Sequence, residues 1–174
     1  MKLSIGDNVV YGTNGVCSVY DIREEDFGTG KKKYYVLHSE TQKTGADIFV
    51  PEDSDVLMGR IKELLSPEEI YKFIDSIPDE NMSWIDDSRV RSLEFEKIIS
   101  SGDRKGLIKL IKAIYEKKSE LAGHGAKIGV ADERVMRTAE RMLYEEFAAV
   151  LDIKIEDVVP LITKRIKRKE NCAI

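Results

Sequence analysis

Cysteine and histidine are nearly missing from this sequence, with two of each in 174 residues. Cys17 and Cys172 are too few and too far apart for a disulfide framework, which points to a reducing cytoplasm. Neither His38, at the end of a β-rich run, nor His124, in a glycine-rich loop, has a neighbouring Cys or His at metal-ligand spacing. A glycine-rich phosphate loop, G-x-S-x-G and H-E-x-x-H are all absent. No apolar run approaches the length of a membrane span, and the opening MKLSIGDNVV lacks the long apolar core of a signal peptide. The closing NCAI is not a prenylation signal, because its cysteine stands third from the end. Asp86 and Asp87 are adjacent carboxylates, but neighbours on a helix do not face one another, so they read as helix-start acids. The expectation is a binding protein, not an enzyme, with no cofactor, no metal, no small-molecule substrate and no membrane.

What is there suits a globular chain of one domain or two small ones: 42% hydrophobic residues and 34% charged. The net charge of −4 argues against indiscriminate coating of nucleic acid, although local distribution matters more than the sum. Arg104, Lys105, Lys109, Lys112, Lys117 and Lys118 face a single acid, Glu116, in one stretch, and the later KRIKR carries four more bases. Both clusters read as solvated helix faces.

Two regimes follow one another along the chain. DNVVYGTNGVCSVYDI holds two β-rich runs, and Asn14-Gly15 between them suits a tight hairpin. DFGTGKK is a second turn, KKKYYVLHS and ADIFVP are further strands, and Pro51 should mark a strand end or edge. Short strands at this spacing without intervening helices predict a small antiparallel barrel. From Ser66 the period changes. Ser66 can cap a helix with Pro67 in its first turn and Glu68 and Glu69 at its positive end. A second helix is expected over about 86–100, closed by Gly102, and a third capped by Asp103 with Leu107, Leu110, Ile111 and Ile114 on one face. Met136, Ala139, Leu143, Phe147 and Val150 stripe a fourth, capped near Asp132. Ile155, Val158, Val159, Ile162 and Ile166 stripe a fifth, where Pro160 fits only within the first turn. The boundary between the two regimes falls near Leu64 to Ser66.

Trp84 is the only tryptophan, and it sits between PDENMS and a charged helical pattern. A tryptophan is most often a core anchor. Its polar neighbours and the arginines Arg89 and Arg91 within two turns also fit another use: an apolar wedge at a DNA base step, with cations on the phosphates.

Read in order, the motifs resemble the CarD-type bacterial regulators that bind RNA polymerase. GDNVVYGTNG (6–15), the YYVL strand (34–37) and Val50-Pro51 carry the N-terminal part. Trp84, Arg89, Arg91, Ser101-Gly102-Asp103 and the helix bearing Ala139, Leu143, Glu146 and Ala148 carry the rest, so the likeness spans about residues 1–165. It implies a Tudor-like barrel docking on the polymerase β subunit. It also implies a helical half that touches promoter DNA at the upstream edge of the transcription bubble, with Trp84 in the minor groove. Two departures stand out. Gly12 stands where many relatives have proline, and Glu25 and Phe49 stand where some have docking arginines. The candidate docking residues here are Arg23, Ile48 and Phe49, as a more apolar contact, with a core position for Phe49 as the alternative. Arg134 is the nearest candidate for the DNA-facing basic residue that relatives carry at the start of the fourth helix.

The expected architecture is α+β: a Tudor-like polymerase-interacting barrel over 1–63, a helical DNA-binding domain of about five helices over 66–167, and a tail over 168–174. The rival reading is an adaptor with the same barrel and no DNA contact. A factor binding RNA or the ribosome is a third reading, suggested only by the small barrel.

Overall fold

The computed structural model describes residues 2–28, 30–39 and 46–172. Thr29 of the second expected turn and the end of the expected tail lie outside the described residues. The chain divides into two units, Met1–Leu64 and Leu65–Ile174.

The first unit is a five-stranded antiparallel sheet built from β1 (Asn8–Tyr11), β2 (Val16–Glu25), β3 (Lys32–Ser39), β4 (Ile48–Pro51) and β5 (Ile61–Glu63). The strand order is β4-β3-β2-β1-β5, so β4, which ends on Pro51, is an edge strand. Alternation fixes the register, because opposite residues share a face. Val9 lies opposite Cys17, Tyr11 opposite Ile61, Val19 opposite Leu37 and Tyr35 opposite Val50, and all eight side chains join one core. A bulge between Val19 and Asp21 leaves Tyr20 as the extra residue, 65% exposed. That insertion returns Ile22 to the core side opposite Tyr35 and lets the long β2 bend.

The β1–β2 hairpin forms, but its connection is longer than the tight turn expected at Asn14-Gly15. Gly12–Asn14 form a 3-10 turn, and positive φ falls on Gly12 (49°) and Gly15 (72°). The core-facing register of Val9 and Cys17 outranks the local turn preference of Asn14-Gly15. At the second turn the Asp26 carboxylate accepts hydrogen bonds from the backbone N–H groups of Gly28 and Gly30. A short helix α1 (Asp55–Met58), capped by the Ser54 hydroxyl, sets Leu57 and Met58 against the sheet core.

The second unit holds α2 (Pro67–Ser76), α3 (Ser88–Ser101), α4 (Arg104–Gly123), α5 (Val130–Leu151) and α6 (Ile155–Cys172). The start of α2 is a capping box. The Ser66 hydroxyl accepts from the Glu69 N–H, and the Glu69 carboxylate accepts from the Ser66 N–H. Those bonds hold the Glu69 carboxyl below its usual range. Asp87 caps α3, Gly102 closes it in the left-handed conformation, and Asp103 caps α4. The core gathers Ile70, Ile74, Phe95, Leu110, Ile114, Leu143, Phe147 and Val158 at 0–1% exposure. Each such side chain contributes roughly 1.5–3 kcal/mol on burial.

Three expectations for this unit are corrected. Asp132 does not cap α5. Gly129 holds the cap position without a side-chain bond, and Asp132 sits inside the first turn, buried. Pro160 lies in the second turn of α6, not the first. It cannot bond the Glu156 carbonyl, which sits on an exposed residue at the start of the helix. The α6 stripe is narrower than expected: Val158, Ile162 and Ile166 pack inward, while Ile155 and Val159 are 46% and 48% exposed.

Candidate partner-binding surfaces

Residues 81–86, between a 3-10 turn at Ile77–Asp79 and α3, have no helical or strand hydrogen bonds of their own. Side chains of α4 hold the approach to this segment. The Lys112 ammonium donates to the carbonyls of Ile77 (2.9 Å) and Pro78 (3.1 Å) and to Asn81 Oδ1 (2.8 Å). Lys105 and Lys109 reach the Glu80 carboxylate at 2.8 and 3.2 Å, and their hydrogen bonds hold the Glu80 carboxyl below its usual range.

Trp84 is half-buried. It packs on the helical core, edge-on to the fully buried Phe95 with 6.4 Å between ring centroids. The Arg91 guanidinium carbon lies 4.4 Å from the Trp84 ring centroid, and Lys117 Nζ lies at 5.9 Å. Arg91 makes a bidentate pair with Asp132, Nε to Oδ1 and Nη2 to Oδ2, both at 3.0 Å. Its Nη1 donates to the carbonyls of Ile85 (2.6 Å) and Asp86 (3.1 Å). These four bonds use four of the five N–H groups of the guanidinium. The side chains of the pair are only 11% and 9% exposed.

Arg89 and Arg134 are placed differently. Both are exposed and neither forms an ion pair among the described residues. Arg134 stands at the rim of a cleft of about 300 Å³ between α3 and α5, floored by Phe95, Ile99 and Val135. Of the three arginines proposed for DNA, Arg89 and Arg134 form no ion pair among the described residues, and Arg91 is committed to Asp132.

The basic run on α4 is largely neutralised within its own unit. Arg104 forms a bidentate pair with the buried Glu146, Lys117 pairs with Glu120, and Lys118 pairs with Glu133. In the later cluster, Arg165 pairs with Asp75 and lies over the Tyr71 ring at 4.7 Å. Sequence reasoning missed Asp132, Glu80 and Glu146 as partners, because no local spacing links them to Arg91, Lys105 and Arg104.

On the first unit, Phe49 and Arg23 share the sheet face opposite the core. Phe27, Tyr34 and Phe49 meet edge to face with centroids 5.2–6.2 Å apart, and the Arg23 guanidinium lies 5.3 Å from the Phe49 ring. Arg23 also pairs with Asp21 (3.4 Å) and Glu25 (2.8 Å). Phe27 is 60% exposed. Ile48 turns to the other face and packs against the sheet core. The structure thus brings Arg23 and Phe49 together, adds Phe27, and separates Ile48 from them.

Among the described residues no group of three or more His, Cys, Asp or Glu side chains is placed to hold a metal ion. No helix among them is long and apolar enough to cross a membrane.

The sheet unit thus carries an aromatic and arginine patch on its outer face, and the helical unit holds a half-buried tryptophan clamped by Arg91. Residues 3–62, about a third of the chain, match the CarD-like/TRCF RID domain family. The first unit is therefore an RNA polymerase-interacting domain of this kind, consistent with the CarD family, which is regulatory and non-catalytic. Such domains bind the β subunit of RNA polymerase, which is consistent with a transcription regulator. No curated protein matches the chain.

Proposed function

We propose that the protein docks on the polymerase β subunit through its sheet unit and stabilises the open promoter complex through Trp84 of its helical unit. The reading includes a cytoplasmic location, where the polymerase acts. Arg23, Phe49 and the neighbouring Phe27 form the docking patch, and Ile48 supports it from beneath. Trp84 meets the minor groove at the upstream edge of the bubble, and Arg89 and Arg134 take phosphates. The observation that carries this reading is the state of Trp84: a half-buried ring, held by Arg91, on a segment without secondary structure just before the helix that bears the exposed Arg89. Unstacking a base step costs a few kcal/mol, and a step already melting costs less. Contacts made only in the open complex shift the equilibrium toward it.

One observation favours the adaptor reading without DNA contact. The basic run on α4 is largely paired within the protein, so that helix offers little charge to a duplex. Photo-crosslinking separates the two. Promoter DNA carrying 5-iodouracil at the upstream bubble edge should cross-link, in the presence of polymerase, to the natural chain and not to Trp84→Ala. Labelling of neither supports the adaptor, and equal labelling of both would show DNA contact that does not pass through Trp84.

A further inference from the structure

The segment that carries Trp84 lacks secondary structure, yet a wedge is useful only if its angle is fixed. We propose that Arg91 and Asp132 are positioning residues that set the orientation and exposure of the Trp84 ring, a proposal that rests on the DNA-wedge reading above. One guanidinium does three things at once. Its Nη1 donates to the carbonyls of Ile85 and Asp86, the two residues that follow Trp84. Its central carbon lies over the indole ring, 4.4 Å from the centroid. Its other edge is anchored by two 3.0 Å bonds to Asp132, in the first turn of α5 and 41 residues away in sequence. Arg91 therefore joins the loop, α3 and α5 at the point where the ring emerges.

The local chemistry matches that role. A planar fork can stack on an aromatic face and still bond in its own plane, whereas a lysine ammonium is a compact point charge that cannot do both. Asp132 supplies the only carboxylate paired with Arg91 among the described residues. Gly129 leaves room for it, since a Cβ there would stand 3.3 Å from Asp132 Oδ2. Without the carboxylate a guanidinium so poorly exposed loses its compensating charge and turns toward water, lifting away from the indole. Lys117, at 5.9 Å, is engaged with Glu120 and does not replace it.

Because Trp84 is the only tryptophan, its fluorescence reports this site alone. The test uses the full chain as Arg91→Lys, Asp132→Asn and Trp84→Ala. Acrylamide quenching is measured on the natural chain and the two variants that keep Trp84, and far-ultraviolet circular dichroism and open-complex lifetime with polymerase on all of them. Arg91→Lys should keep the helical spectrum, raise the quenching constant severalfold, and shorten the lifetime roughly tenfold, as loss of one stacking contact would. Asp132→Asn keeps the side-chain shape and should give the same pattern, which covers the case in which Arg91→Lys fails to fold. Unchanged quenching in a folded variant overturns the clamp. A lifetime shortened by Trp84→Ala but not by Arg91→Lys or Asp132→Asn also overturns it, leaving the wedge in place. A lifetime unchanged in all three variants overturns the DNA reading and, with it, the positioning role.

Discussion

Single side chains in the helical unit carry consequences that the sequence alone does not give. Tyr144 on α5 is one. Burial, and then the nearby Glu140 carboxylate, push its hydroxyl up to about 12 from the ordinary 10.0. The folded state therefore keeps a proton that the unfolded chain releases above pH 10. Stability from this group is intact below pH 10 and falls as pH rises from 10 toward 12, by about 2 kcal/mol. Urea unfolding at pH 9 and 11.5 should show that drop, and Tyr144→Phe should remove this contribution. An identical drop in Tyr144→Phe would assign the loss to other groups. The candidate site was legible at this scale only in part. Trp84 stood out because it is alone and lies at a helix edge. Asp132 did not, because an aspartate near a helix start looks the same in sequence whether it caps the helix or pairs with an arginine on another.

At the scale of elements, helices far apart in sequence are joined by buried ion pairs. Arg104 at the start of α4 grips Glu146 of α5 at 2.6 and 2.7 Å, and Glu146 also accepts the Leu65 N–H at 2.9 Å. Glu146 is 2% exposed. Replacing it by leucine strands the guanidinium and an amide, and should cost about 3 kcal/mol. Chemical denaturation would detect this, and a loss under 1 kcal/mol would mean that water reaches the site. The helices themselves were largely legible in the sequence. Ser66, Asp87 and Asp103 cap where a polar side chain precedes a periodic run, and Leu110, Leu143 and Phe147 lie where the period puts them. The pairs were not legible, since charges at helical spacing look alike whether they meet water or another helix. The β1–β2 turn misled because register, set by core-facing Val9 and Cys17, outweighed the turn preference of Asn14-Gly15. The parity change at Tyr20 is visible in the sequence only as broken alternation.

For the whole molecule, the chain divides at Leu64, and on the proposed reading that division separates docking from promoter contact. A fragment of residues 1–64 should bind the isolated polymerase β subunit, and Phe49→Ala should weaken that binding. A folded fragment that fails to bind would contradict modular docking. The central claim, that Trp84 holds the bubble open, is tested most directly by the lifetime of the open promoter complex with the natural chain and with Trp84→Ala, alongside the thermal unfolding of both. A half-buried ring predicts a modest stability loss of about 2 kcal/mol, below the roughly 3–5 kcal/mol of a fully buried one. The variant should therefore stay folded and bound to polymerase at assay temperature, while the open complex collapses roughly tenfold faster. A folded, polymerase-bound Trp84→Ala that leaves the lifetime unchanged would contradict the account.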